Sequence, residues 1–152
     1  MNYYNEIKNE IIDIETYKKV KDYSKNKREL EGYYKIGKLL IEAQGGELRA
    51  KYGNGLIKEY TIKLANELNI KYSERSLRNM RQFYLTFKDE IWQPLVSNLN
   101  WSQCTILLPL KDKNKIKYYI YQCKINNLSK RQLQEKIKNQ EYERLPEETK
   151  IK

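Results

Sequence analysis

The sequence predicts an all-α fold, arranged as a single compact multi-helix domain, and three observations lead to that prediction. Apolar residues recur at helical steps of three and four along the chain, whereas strand-like alternation is scarce. Hydroxyl and amide residues stand where helices would begin, and paired glycines stand where one would end. The 152 residues suffice for one domain with a real core, and no repeat, low-complexity linker or obvious boundary divides them.

The first predicted helix begins near the N-terminus. Ile7, Ile11 and Ile14 fall at steps of four and three, and the pattern continues through Tyr17 and Val20. The polar stretch KDYSKNKRE follows, and then a second apolar stripe begins. This segment therefore contains either two helices or one long bent helix, and the sequence leaves both open.

The second helix has a well-marked end. Its stripe comprises Leu30, Tyr33, Tyr34, Gly37, Leu40 and Ile41. Gly45 and Gly46 follow, and such residues favour the left-handed conformation that closes a helix. The stretch GELRAKYGNG that overlaps this end and continues beyond it is predicted to be a loop.

A helix-turn-helix-like unit is predicted in the middle of the chain. Asn54 is placed to cap its first helix, which ends near Asn69. The inner face of that helix comprises Ile57, Tyr60, Leu64, Ala65 and Leu68. The short link NIKY follows, and Ser73 is placed to cap the second helix, which runs to about Lys88. In such a unit the second helix is the one that reads nucleic acid.

Shorter helices are predicted in the remaining third. Trp92 and Pro94 mark a break, after which Ser102 is placed to cap a fifth helix that Pro109 shortens. The apolar residues of that helix are Ile106, Leu107 and Leu110. The two tryptophans of the chain, at positions 92 and 101, are interpreted as core or loop anchors.

Two more helices and a tail complete the prediction. The sixth helix has the inner residues Ile116, Tyr119, Ile120 and Cys123. Ser129 and Gln132 form a capping box ahead of the seventh helix. The inner residues of that helix are Leu133 and Ile137. The domain thus spans residues 1–145, and residues 146–152 are predicted to be a frayed polar tail.

Composition restricts the function classes. The chain has 30 basic and 20 acidic residues, so its net charge is +10. A positive charge of this size favours a polyanionic partner. Surface lysines that keep the protein dispersed, or an AT-rich coding sequence, would produce the same excess of basic residues. The absence of histidine excludes a Ser-His-Asp triad, a Cys-His pair and a histidine metal ligand. There is no glycine-rich phosphate loop and no clear carboxylate cluster. We therefore expect no catalytic residues, no metal and no cofactor.

The N-terminal residues, the apolar runs and the cysteines indicate in which compartment the protein resides. The opening MNYYNEIKNE is polar and acidic, unlike a secretion leader. No apolar run approaches the roughly 20 residues that a membrane helix needs. Cys104 and Cys123 are interpreted as buried, reduced packing residues. These observations predict a cytoplasmic protein that does not contact a membrane.

The second helix of the helix-turn-helix-like unit carries the leading candidate site. On a helical wheel its inner side is formed by Leu77, Met80, Tyr84 and Phe87. Its outer side carries side chains that can bond base edges, namely Arg75, Arg78, Asn79 and Gln82. Near its start, Lys71, Ser73 and Ser76 are suited to phosphate. An ordinary amphipathic surface helix is the alternative.

Two further groups are weighed as nucleic-acid contacts. Tyr118, Tyr119 and Tyr121 stand among lysines, and aromatic residues among cations can stack on bases. Core packing is preferred for Tyr119, because it lies on the inner stripe of its helix. Lys130 and Arg131 stand at a capped helix start, where they can touch phosphate or form a solvated surface.

Four stretches, in order along the chain, carry a resemblance to a known family. They are YYKIGKLLIEAQ, YGNGLIKEYTIKLANEL, YSERSLRNMRQFYLTF and LNWSQCTILLPLKDKNKIKYYIYQCKINNLSKRQLQEKI. The pattern S-x-R-x-L-x-x-M-R-x-F-Y is carried by Ser73, Arg75, Leu77, Met80, Arg81, Phe83 and Tyr84. L-x-W-S is carried by Leu99, Trp101 and Ser102, and LS-x-R-x-L-x-x-x-I by Leu128, Ser129, Arg131, Leu133 and Ile137. Roughly residues 30 to 140 thus resemble the N-terminal helical domain of the YhcG-type nucleases, in which a restriction-like PD-(D/E)xK nuclease domain follows.

The resemblance implies a role for the helical domain in binding DNA or in placing a nuclease on its target. Two features differ from the family: Gln103 stands where a histidine is usual, and the chain ends at Lys152, where the family continues into its catalytic domain. Binding therefore carries over and catalysis does not, so we expect a non-catalytic module. Its expected partners are nucleic acid, with DNA ahead of RNA, and a nuclease.

An interaction protein is the alternative function. A solitary domain of this kind from a phage or mobile element would block a host defence complex, in the manner of an anti-CRISPR protein, and its partner would be a protein of that complex. A homodimer is also left open. Helix-turn-helix readers often pair, yet the first helices show no clean heptad.

Overall fold

The computed structural model describes residues 2–18, 25–50 and 54–150. Every regular element in those ranges is helical, which confirms the predicted all-α fold. The chain divides into two compact units, Met1–Lys88 and Asp89–Lys152. The sequence analysis indicated no such boundary, because no change of composition accompanies it.

The first unit contains five helices. They are α1 (Tyr3–Lys18), α2 (Lys25–Ala43), α3 (Glu47–Ala50), α4 (Asn54–Leu68) and α5 (Glu74–Phe87). An ion pair joins Arg28 to Asp13 at 2.6 Å, and a second joins Lys35 to Glu10 at 3.4 Å. Because the later residue of α2 meets the earlier residue of α1, the two helices run antiparallel. They are two helices and not one bent helix; Val20 lies outside the described residues.

The end of α2 confirms the prediction made from the paired glycines. Gly45 and Gly46 have φ angles of 91° and 105°. The Gly46 amide donates to the Ile41 carbonyl at 2.9 Å, and the Gly45 amide donates to the Glu42 carbonyl at 3.0 Å. This pair of hydrogen bonds is a Schellman motif, which satisfies carbonyls that the helix end leaves without partners.

The segment after α2 differs from the predicted loop. Glu47–Ala50 forms α3, a single helical turn, and Lys88 at the end of α5 pairs with Glu47 at 2.8 Å. Helix α4 begins at Asn54, whose capping role stays a prediction. Its inner face is confirmed by the buried side chains Ile57, Tyr60 and Leu64, whereas Ala65 and Leu68 are half-buried.

Helix α5 is positioned mainly by α2. Its buried residues are Leu77, Met80, Phe83 and Phe87. Tyr84 was predicted to be one of the four inner residues, and that prediction was wrong: Tyr84 is half-buried, and Phe83 is fully enclosed in its place. The ring of Tyr34 on α2 meets both rings edge to face, with centroids 6.2 Å from Phe83 and 5.1 Å from Tyr84. Tyr34 therefore shields the edge of the core on which Tyr84 lies.

The second unit contains shorter elements. They are α6 (Trp92–Leu95), α7 (Trp101–Leu107), a 3₁₀ turn (Leu108–Leu110), α8 (Lys113–Asn126), α9 (Lys130–Lys138) and α10 (Glu147–Lys150). Pro109 lies in the 3₁₀ turn, so α7 ends early, as expected for proline. The residues after Leu145 are not wholly irregular, because α10 forms within the predicted tail.

Caps fix the starts of the helices in this unit. The N-cap of α7 is Asn100 and not Ser102: Asn100 accepts from the Gln103 amide at 2.9 Å, and the Gln103 side chain accepts from the Asn100 amide at 2.9 Å. These two hydrogen bonds form a capping box, and Ser102 lies inside the first turn of α7, where it is exposed. The predicted capping box of Ser129 and Gln132 at α9 is confirmed. Asp112, which the sequence analysis did not single out, caps α8.

The core of the second unit follows the predicted stripe of α8. Ile116, Tyr119, Ile120 and Cys123 are all buried. Trp92 and Leu133 are buried too, whereas Trp101 and Ile137 are half-buried. Cys104 and Cys123 are free and buried, as predicted. Throughout the described ranges, no helix is long and apolar enough to span a membrane.

Candidate nucleic-acid interface

The start of α5 is built by a serine cap. The Ser76 amide donates to the Ser73 hydroxyl oxygen at 3.0 Å, which confirms Ser73 as the N-cap. The two hydroxyl oxygens also lie 3.0 Å apart. One hydroxyl hydrogen occupies the space between them, so the other remains to be donated to a ligand. The pair can therefore serve the helix and contact a phosphate together.

The residue before the cap fixes the start of α5 against α1. The Tyr72 hydroxyl donates to Glu15 Oε1 at 2.6 Å, and Lys18 pairs with the same carboxylate oxygen at 3.3 Å. Tyr72 is buried. Burial, and then the hydrogen bond to Glu15, raise the pKa of Tyr72 well above its usual range, so its hydroxyl stays a donor. The residue that precedes the candidate face is thus held against α1.

The predicted outer face of α5 is largely solvent-accessible. Arg75 and Gln82 are exposed, as is Lys71 in the preceding turn, and Asn79 is half-buried. The Arg78 side chain keeps 44% of its surface exposed. The structure therefore brings the four base-reading candidates onto one face of one helix, with the phosphate candidates at its start.

The polar partners along this face are weak. Arg78 lies 3.4 Å from Glu74 one turn earlier, in a solvent-exposed pair. The Gln82 side-chain amide donates to the Thr86 hydroxyl at 3.2 Å. An exposed pair of this type contributes between about 0 and 1 kcal/mol, so a phosphate can displace it at little cost.

A third guanidinium, that of Arg81, was identified only as part of the family pattern and adjoins the face. Arg81 is half-buried and donates to Gln44 Oε1 at 2.8 Å. Burial, and then the nearby Arg78 guanidinium, lower the pKa of Arg81. The positive charges of Arg78 and Arg81 therefore repel each other. The sequence signal that could have found Arg81 was the three-residue spacing of Arg75, Arg78 and Arg81.

The last two candidate residues lie in the second unit. Lys130 and Arg131 are exposed in the first turn of α9, directly after the Ser129 cap. No group of three or more carboxylate or thiol residues in the described ranges is arranged to hold a metal ion.

The tyrosines of α8 separate into two kinds. Tyr119 has no exposed surface, which confirms its place in the core. Its hydroxyl accepts from the Tyr142 amide at 3.2 Å. Tyr118 is half-buried and donates to Glu141 Oε1 at 2.6 Å, whereas Tyr121 keeps 57% of its surface exposed. Only Tyr118 and Tyr121 are therefore accessible to a ligand.

Comparison with known proteins places this fold in a family. The family model described as the DUF1016 N-terminal domain matches residues 6–144, which include most of both units. The chain is 42% identical over 69 residues to the "Putative nuclease YhcG" of Escherichia coli (strain K12), a match that covers 44% of this chain and 18% of that protein. No solved structure matches significantly. The chain belongs to the DUF1016 N-terminal domain family, as its resemblance to the YhcG-type nucleases predicted.

Proposed function

We propose that this chain is a non-catalytic nucleic-acid-binding module that contacts duplex DNA through the outer face of α5. The observation that carries the proposal is the division of α5 into two faces. Four apolar side chains are buried on one side, and arginine and amide side chains are accessible on the other. Arginine suits guanine and phosphate, whereas asparagine and glutamine suit adenine, so the face has the chemistry of a reader helix.

The roles of the residues follow from their positions. Arg75 and Arg78 contact guanine edges or phosphates, and Asn79 and Gln82 contact adenine edges. Lys71, Ser73 and Ser76 contact the DNA backbone at the start of the helix, where free amides and the helix dipole favour an anion. Lys130 and Arg131 give a separate phosphate contact in the second unit.

Arg81 strengthens the anion affinity of this face. Its guanidinium is fixed by Gln44 and already lies close enough to Arg78 for the two charges to interact. A phosphate that binds Arg78 therefore gains the attraction of a second positive charge without having to order it. The net charge of +10 adds a longer-range attraction that speeds association.

Membership of the family supports a role beside a nuclease. The Escherichia coli relative is named as a nuclease, and the matched segment is a small part of it. We therefore propose that the present chain binds nucleic acid and that any cleavage is performed by a separate catalytic domain or protein. The interaction-protein alternative, a blocker of host defence complexes, draws no support from the family match.

Fluorescence anisotropy with a labelled duplex tests the proposal. Arg75→Ala combined with Arg78→Ala should weaken binding strongly at about 50 mM salt. If both arginines contact phosphates, the slope of log affinity against log salt should also fall by about 2. The matched control is Lys27→Ala with Lys58→Ala, which removes the same charge from two exposed helical positions, one on α2 and one on α4.

The control separates a site from a general charge effect. Equal losses in the two double variants would contradict the assignment to α5 and leave only non-specific attraction. Absence of duplex binding by the wild-type protein would contradict the proposed function itself.

A further inference from the structure

An open groove of about 490 Å³ lies in the second unit, and none of its lining residues belongs to the proposed duplex contact. Tyr118 and Tyr121 of α8 line it, together with Tyr142, Lys117 and Lys150. Its volume lies within the range of sites that hold small ligands. Three phenol rings and two ammonium groups around one groove suit a flat, negatively charged ligand, because rings stack on flat groups and ammonium groups attract anions.

Helical spacing explains why these side chains share one groove. Asn114, Lys117, Tyr118, Tyr121 and Gln122 all line it, at steps of three, four, seven and eight residues from the first. They form one stripe of α8, and the buried residues of the core form the other. The side of the groove that α8 forms therefore follows from helical periodicity.

The tyrosines that line the groove differ in how many contacts hold their side chains. Tyr118 is held by its hydrogen bond to Glu141, and its ring centroid lies 5.5 Å from that of the buried Tyr142. Tyr121 has 57% of its surface exposed, and Ile125 one turn later has 54% exposed. An exposed ring beside two fixed ones presents a face that a second flat group can cover with little rearrangement.

The charges around the groove favour an anion. Helix α8 carries four lysines and no carboxylate. Three carboxylates near the groove are each paired with a lysine: Glu90 with Lys117 at 3.0 Å, Glu141 with Lys136 at 3.0 Å, and Glu147 with Lys150 at 3.3 Å. Lys150 has its ammonium group 5.8 Å from the centre of the Tyr142 ring. The pairs that Lys117 and Lys150 make are partly exposed to solvent, so a phosphate beside the stacked ring can compete for these ammonium groups at little cost.

We propose that this groove binds an unpaired nucleobase of a single-stranded nucleic acid, stacked on Tyr121 with its phosphate near Lys117. The amides of Asn114 and Gln122 can bond the edge of the base. The inference rests on the proposed function and adds a second, single-strand contact to the duplex contact of α5. The paired bases of a duplex are already stacked on their neighbours, so the groove selects bases that are free.

Anisotropy with single strands tests the groove. Tyr121→Ala should weaken binding of a labelled oligothymidine by about fivefold to a hundredfold and leave the affinity for duplex unchanged. Tyr121→Phe keeps the ring and should retain affinity. DNA and RNA strands of equal sequence show which sugar the groove accepts. Ultraviolet cross-linking of strands that contain 5-iodouracil should map to a peptide that contains Tyr118 or Tyr121.

Each contrary result has a distinct meaning. Unchanged single-strand affinity in Tyr121→Ala, or duplex binding without single-strand binding by the wild-type protein, overturns the groove assignment alone. Absence of binding to any strand overturns the proposed function and the groove together. Self-association that Tyr121→Ala abolishes, with oligonucleotide affinity unchanged, would overturn the proposal and identify the groove as an interface between copies of this chain.

Discussion

Gly37 of α2 lies directly against the backbone carbonyl of Met80 on α5, so closely that a Cβ atom at Gly37 would overlap the Met80 oxygen. The two helices therefore touch through their backbones at this point. Because the opposing atom belongs to the backbone, a side chain at Gly37 can be accommodated only if a helix shifts. The helix that would shift is the one that bears the candidate interface.

Gly37→Ala should destabilise the protein by about 1–3 kcal/mol, because the added methyl group overpacks the contact of α2 with α5. The control is Gly55→Ala in the first turn of α4, where nothing lies within 4 Å of the added carbon. That change should be neutral or add up to about 1 kcal/mol, since alanine favours helix more than glycine does. Urea unfolding of the two variants measures the difference, and equal midpoints would contradict the close approach.

Substitution of the two competing caps distinguishes the observed start of α7 from the predicted one. Asn100→Ala should lower the free energy of unfolding by about 1 kcal/mol, because it removes the acceptor for the Gln103 amide. Ser102→Ala should change it by less than about 0.5 kcal/mol, since Ser102 is exposed and its side chain caps nothing. Thermal melts followed by circular dichroism measure both, and a larger loss in Ser102→Ala would contradict this cap.

Arg75→Lys separates base reading from phosphate attraction, because lysine keeps the charge and loses the two-pronged hydrogen bond. If Arg75 reads guanine, the variant should keep the salt slope of the wild-type protein. Its preference for a selected duplex over a scrambled one should fall by about 1–3 kcal/mol. Competition binding against duplexes selected from a random pool measures this. A preference that does not change would assign Arg75 to the phosphates.

Stability should fall in acid because three carboxylates are hydrogen-bonded in the folded protein. The pKa values of Glu67, Glu141 and Glu143 are lowered, chiefly by hydrogen bonds from Lys8, Tyr118 and Lys115 respectively. The folded state therefore binds these protons less readily than the unfolded state does. Their contribution is complete above about pH 4.5 and is lost as the pH falls through the lowered values.

Stability should also fall in alkali. Burial, and then the neighbouring Cys123, raise the pKa of Cys104 to about 12; burial and the hydrogen bond to Glu67 raise that of Tyr4 to about 12. In the unfolded chain these groups ionise near their ordinary values of about 8.5 and 10, so stability is lost as the pH rises above those values. With no histidine in the sequence, stability should be flat between about pH 5.5 and 8. Urea midpoints across the pH range measure this, and a step near pH 6.5 would contradict it.

Local signals explain which helix starts were predicted from the sequence. Ser73 and the Ser129–Gln132 pair were identified because a cap depends on residues only three positions apart. The same rule was misapplied in the stretch NWSQ, where Ser102 was chosen as the cap and Asn100, two positions earlier, was not considered. The reciprocal bond that Gln103 makes decides between them, and Gln103 is in turn held by its donation to the Leu128 carbonyl at 2.7 Å.

Non-local contacts explain what was missed. Phe83 and Tyr84 are neighbours in sequence, and the ring of Tyr34 on α2 contacts both, so the periodicity of α5 alone did not show which of them the core encloses. Arg81 was overlooked as a site residue because its relation to Gln44, 37 positions away, is not visible in the pattern of its own helix. The candidate face itself needed only the periodicity of α5, so its residues could be predicted. Their function rests on the binding experiments.

Both thiols of the chain, Cys104 and Cys123, are buried in the unit that begins at Asp89, and the unit that contains α5 has none. Modification by a sulfhydryl reagent therefore reports the opening of only one half of the molecule. Measured beside a signal from the whole chain, such as its helical circular dichroism, the labelling rate would show whether the two halves open together or one before the other.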